Sequence, residues 1–167
     1  MTQKKIKNLN PTEIKKQVKK LKTQGEFYIT IGEDEYLVKH DEIFVNSKIH
    51  RVLDDLVSLF NESRNRNELM EVATPYTTLL IIKHFTSIDV PDDIDSALDM
   101  MEALIDLEVM DKIINALPES EIVKMYEKMT VVMDNMRSTL EDGELEAQEL
   151  ERQLKSEQAK RLLADGE

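Results

Sequence analysis

The run "TPYTTLLIIKHF", residues 74–85, constrains this chain more than any other stretch. Leu79, Leu80, Ile81 and Ile82 are consecutive, so a helix through them is apolar on nearly every side and has to be enclosed by other elements. Thr74 is placed to cap that helix and Pro75 to occupy its first position. The apolar run is far short of the roughly 20 residues a membrane span needs. The start "MTQKKIKNLN" has no apolar core of a signal peptide. A soluble protein in the cytoplasm is expected, with no membrane partner.

Enclosure has to come from amphipathic helices. In "NSKIHRVLDDLVSLFNES", Ile49, Val52, Leu53, Leu56 and Phe60 share one face behind a cap at Asn46 or Ser47. "SIDVPDDIDSALDMMEALIDLEVMDKIINALP" reads as one or two further helices, with Leu98, Met101, Ile105 and either Leu107 or Glu108 marking a face. Pro118 opens the longest helix, which runs to about residue 141 before Gly143 interrupts it. With 5% aromatic residues and no Trp, the packing falls to Ile, Leu, Val and Met.

The clear β signal is "EFYITIGEDEYLVKHD", two runs rich in β-branched and aromatic residues with Gly32 and Asp34 suited to the turn between them. A two-stranded hairpin is marginal alone, so helices cover it or a second copy extends it. Ile29, Ile31 and Leu37 are the candidate self-association residues at its edge. "EIFV", residues 42–45, is a third short strand or a lead-in to the next helix.

Charge divides the chain. Residues 1–24 carry eight Lys and one Glu, while the remainder carries 14 basic and 33 acidic groups. An acidic body repels nucleic acid, which argues against such a partner, whereas the basic arm can lie on an acidic protein surface or touch phosphate. Within the arm, Asn10 caps, Pro11 opens and Gly25 stops a helix whose stripe is Ile14, Val18 and Leu21. At the other end, "ELEAQELERQLKSEQAKRLLADGE" is helical by propensity with sparse apolar positions, Leu145, Leu150, Leu154, Leu162 and Leu163. The expected fold is mainly α: a small N-terminal β-hairpin followed by a helical bundle, with a basic N-terminal helix and a C-terminal tail helix. Three segments are expected, a basic helical arm at 1–24, a hairpin and helical core at 25–141, and an acidic helical tail, exposed or frayed, at 142–167.

No residue pattern indicates catalysis, and no enzyme activity is expected. There is no Cys, and His40, His50 and His84 fall in no metal-binding spacing. Asp89, Asp92, Asp93 and Asp95 lack the glycine and register of a calcium loop and suit a helix start instead. The four glycines form no phosphate loop. No metal and no cofactor are expected.

What remains is the stripe in "IVKMYEKMTVVMDNM", residues 122–136, which holds four of the nine methionines. Ile122, Met125, Met129, Val132 and Met136 step by three and four, a seam that packs on another helix, and Met133 widens it at the flank. Thioethers fill irregular cores, and they also line grooves that repack around varied partners. The first half of the seam is expected to be buried. Met125, Met129, Val132, Met133 and Met136 are the candidate partner-binding residues, with Met133 the one most exposed to a partner.

The hairpin "FYITIGEDEYLVK", followed by the amphipathic segments "IHRVLDDLVSLF" and "LIIKHFTSIDVP", resembles the tail assembly chaperones of long-tailed, siphovirus-type phages of Gram-positive bacteria. The resemblance covers about residues 26–140 and leaves out the lysine arm and the acidic tail. It implies a non-enzymatic protein in the cytoplasm of the bacterial host. Such a chaperone keeps the tape-measure protein soluble and recruits the tail-tube protein. Self-association is expected on separate grounds, because the two-stranded hairpin and the broad apolar arc both need cover. The alternative is a small regulatory binding protein that uses its lysine arm on nucleic acid or a host protein.

Overall fold

The computed structural model describes residues 4–164; side chains at 158–160 and 162–164, among them Leu162 and Leu163, lie outside the described set, as do residues 1–3 of the arm. The chain forms two compact units, residues 1–127 and 128–167, and the boundary falls inside one helix. The fold is mainly helical, with an N-terminal hairpin and a long C-terminal helix.

Helix α1, Pro11–Lys20, begins as its residues dictate. The Asn10 side chain accepts from the Glu13 N–H at 3.0 Å, Pro11 fills the first position, and Lys19 and Lys20 face the negative end of the helix dipole. None of its residues is buried. It ends at Lys20, well before Gly25, which lies in the following strand. The glycine serves a different need there: a Cβ at Gly25 would sit 2.5 Å from Nε2 of His40, the residue directly opposite.

Strands β1, Gln24–Ile31, and β2, Asp34–Asp41, pair antiparallel through a two-residue turn in which Gly32 takes a φ of 64°. The register puts Phe27, Ile29, Val38 and His40 on one face and Tyr28 and Leu37 on the other. The first face is the covered one, with Ile29, Val38 and His40 buried. Residues 42–45 form no third strand; they lead into the next helix, and Phe44 stacks on Phe85 at 3.7 Å between ring centroids.

Helix α2, Asn46–Ser63, buries Ile49, Val52, Leu56, Leu59 and Phe60, and neither Asn46 nor Ser47 caps it. Its entry is fixed instead by the buried Phe44, whose N–H donates to the Glu121 carboxylate at 2.8 Å. A short helix α3, Glu68–Glu71, leads to α4, Ala73–Phe85, which starts one residue before Thr74. Pro75 therefore sits third rather than first, where a missing N–H still costs nothing. Leu79 to Ile82 are each at most 1% exposed, as an all-apolar helix requires. It packs against α2, α3 and the next two helices, α5, Ile94–Asp106, and α6, Met110–Ala116.

The face of α5 differs from the expected one: Ala97, Met101 and Leu104 are buried, while Ile105 and Leu107 are about half exposed. The reversal that ends the helix explains the shift. Glu108 takes a φ of 55°, its N–H reaches the Ile105 carbonyl at 2.9 Å, and the Val109 N–H reaches back to Leu104 at 3.1 Å. That turn buries Val109 and Met110 in place of Ile105 and Leu107. Helix α7, Glu119–Ala164, passes through Gly143 without a break. One glycine costs a helix about 1 kcal/mol, which the Glu, Leu and Ala around it offset by propensity.

The acidic segment before α5 is engaged by its neighbours. Asp93 accepts from the Ser96 N–H as the α5 cap, Asp92 pairs with Lys83 at 2.9 Å, and Asp95 with Arg66 at 2.8 Å. Lys83 and His84 also hold Asp55 on α2, at 3.2 and 2.7 Å, so His84 is a structural donor between helices. Burial pushes the Asp55 carboxyl up, but the hydrogen bonds from His84 and Lys83 and their charges outweigh it and leave it below its ordinary value.

Two predictions follow from these local features. Glycine has no Cβ to clash at positive φ, so Glu108→Gly should raise stability by about 0.5–1 kcal/mol, read as a higher melting temperature; a lower one contradicts the assignment of strain to this turn. Because the folded-state value of Asp55 is depressed, its contribution is complete above about pH 5 and fades as the pH falls through that value. Asp55→Asn should therefore melt lower at pH 7 and lose less on acidification to about pH 3 than the wild type, and an unchanged acid slope would count against the network.

Candidate functional site

The methionine seam occupies α7, and the helix is set at its start by polar contacts within the first unit. Pro118 offers its carbonyl to the N–H groups of Glu121 and Ile122. Glu121 accepts from the Phe44 N–H and from Lys124 at 2.7 Å. Burial raises the Glu121 carboxyl and these two donors bring it below its ordinary value, so it stays a charged acceptor. One turn on, the Tyr126 hydroxyl meets the Thr78 hydroxyl at 2.7 Å. These contacts fix the rotation of the helix, and Met125, between them, is fully buried.

Beyond that point exposure rises along the seam. Met129 is 1% exposed, Val132, Met133 and Met136 are half-buried, and every residue from 141 to 157 is exposed. The seam thus has a sealed beginning and a half-open continuation. Val132, Met133 and Met136 stand together on the half-open part; Met125 and Met129 do not present themselves at any surface.

The three hairpin residues are not brought together. Ile29 and Ile31 lie on the covered face, with Ile29 buried, and Leu37 lies on the opposite one at 47% exposure. Its cross-strand partner Tyr28 is 60% exposed, so the outer apolar pair of the hairpin is Tyr28 with Leu37. A strict alternation count in the sequence would have found that pair. Part of the β2 edge is occupied: the Lys39 N–H donates to the Ser87 hydroxyl, Ser87 N–H returns to the Lys39 carbonyl, and His40 bridges Thr86.

One feature escaped the sequence reading. A cleft of about 610 Å³ is lined by Thr74, Pro75, Thr78, Ile105, Glu108 and Asp111, where the left-handed Glu108 turn meets the start of α4. Its two carboxylates give it an acidic rim. Among the described residues no cluster of His, Asp or Glu is arranged to hold a metal ion, and no helix is long and apolar enough to cross a membrane.

A family model described as YomO matches residues 12–163. The chain belongs to the YomO family. That family is phage-associated, and the match spans the hairpin, the helical core and most of α7, including the acidic continuation that the chaperone resemblance leaves out. No curated protein and no solved structure gives a match.

In this YomO-family chain, the split in exposure makes a test of the seam direct. Met125→Ala should cost about 2–5 kcal/mol of stability, the range for a cavity in a closed core. Met133→Ala should cost less than about 1 kcal/mol, as partly exposed positions do. Denaturant midpoints of the two variants check this; equal losses would place both residues in one closed core.

Proposed function

We propose that this YomO-family chain is a non-enzymatic tail assembly chaperone. It binds the tape-measure protein of its phage, keeps it soluble in the cytoplasm of the host, and recruits tail-tube subunits to it. The observation that carries this reading is the half-open run Val132, Met133 and Met136, continuous with a sealed stretch of the same helix. A helical client that lays its own apolar face there gains burial at roughly 25 cal/mol per Å², and flexible methionine side chains adapt to segments of differing shape. The phage association of the family supports the biological setting. The net charge of −12 supports the solubilising role, because like-charged coats repel one another.

Co-expression of the full chain with the tape-measure protein of the same phage tests the reading. Most of the tape measure should stay in the soluble fraction, bound to the chain, and Met133→Glu with Met136→Glu should drop the soluble yield several-fold without unfolding the chaperone. A tape measure that precipitates equally with and without the chain would overturn the proposal.

A further inference from the structure

The apolar seam of α7 does not end at the methionines. In an uninterrupted helix, Met136, Leu140, Gly143, Ala147, Leu150 and Leu154 continue the alternation of three and four residues, a heptad stripe. Leu150 and Leu154 are 59% and 52% exposed, and open space surrounds Gly143. Around the stripe the helix is acidic, with seven carboxylates against two basic side chains between residues 141 and 157. Small residues at Gly143 and Ala147 let another helix approach closely.

A second apolar stripe runs along α1 and its C-cap, where Ile14, Val18 and Leu21 are 47%, 41% and 43% exposed and the last two border a cleft facing residues 43–47. Their spacing of four and three matches the heptad, and the arm around them carries eight lysines to one glutamate between residues 4 and 22. The two stripes agree in period and oppose each other in charge. Pairing α7 with another α7 is disfavoured by comparison: in parallel register Glu146 meets Glu151 of the copy across the flank, and antiparallel pairing about residue 145 sets Glu144 against Glu144 and Glu146 against Glu146. Ile14, Val18 and Leu21, and Leu150 and Leu154, are all exposed, while Met136 and Leu140 are half-buried.

We propose that the basic helix α1 of one copy docks on the acidic heptad face of α7 in a second copy, so that arm and tail together drive self-association. The leucines of the tail take up Ile14, Val18 and Leu21, and lysines on either side meet the glutamates that flank the stripe. A reciprocal pair of such contacts closes a two-fold dimer. The proposal needs no client and does not rest on the chaperone reading.

Light scattering and sedimentation of the full chain over a concentration series test it, using three forms. The arm-reversed form carries Lys15→Glu, Lys20→Glu and Lys22→Glu, and the tail-reversed form carries Glu144→Lys, Glu146→Lys and Glu151→Lys. None of these positions is buried, so circular dichroism should be unchanged. Wild type should at least double its mass at low salt and return toward monomer at high salt. Each reversed form alone should remain monomeric, and an equimolar mixture of the two should associate again, since both cross-contacts are then complementary. A wild type that is monomeric throughout overturns the proposal. So does association that persists in the arm-reversed form, or a mixture that fails to restore it.

Discussion

The helical core of the first unit is arranged around the need to hide α4. Four consecutive aliphatic residues leave that helix no solvent face, so the chain closes around it with α2, α3, α5 and α6. Phe85 at its end stacks on Phe44, and Phe44 in turn gives its N–H to Glu121 at the start of α7. One buried helix thus fixes both the entry to α2 and the placement of the first turns of α7. Its side-chain polar contacts to other helices lie at mid-length, Thr78 to Tyr126, and near its C-terminal end, Lys83 and His84 to Asp55. Burial works against the charges of Asp55 and Lys83, and their mutual hydrogen bond and attraction, with His84, outweigh it.

Much of this architecture was legible in the sequence because it follows from periodicity. The enclosed α4, the hairpin with its glycine turn, the capped basic helix and the apolar face of α2 are all consequences of spacing that one chain displays by itself. The misreadings have a common cause, which is punctuation decided by tertiary contacts. Gly25 looked like a helix stop and is a gap for the His40 ring. Gly143 looked like a break and is carried by its helix-forming neighbours. Ile105 and Leu107 looked like a core face, but a left-handed glutamate turned the chain before they reached it. Neither a φ of 55° at Glu108 nor the cleft it helps to line has any signature in residue type.

The site was legible in its first half and ambiguous in its second for a physical reason. Spacing alone puts Met125, Met129 and Met136 on one line, yet the same line serves an intramolecular core and a docking face equally well. What separates them is where the covering residues run out, and that is a property of the rest of the fold. The hairpin residues failed as a group because Ile29 and Leu37 stand an even number of positions apart along the chain while the two-residue turn places them on opposite faces.

Helix α7 therefore joins two chemical regimes without a break in its backbone. Its first turns are specified by enclosed contacts, and substitution there is paid for in stability. Its last turns are specified by charge, through pairs such as Lys155 with Glu151 at 2.7 Å that contribute only tenths of a kcal/mol each. A helix held this way over its exposed length gains more from a partner than from its own side chains, because burial of the leucine stripe outweighs the surface pairs it would displace. The half-buried methionines lie at the transition. A partner that covers the acidic end must reach them from the solvent side, and one that binds the methionines has the leucine stripe before it as a continuation.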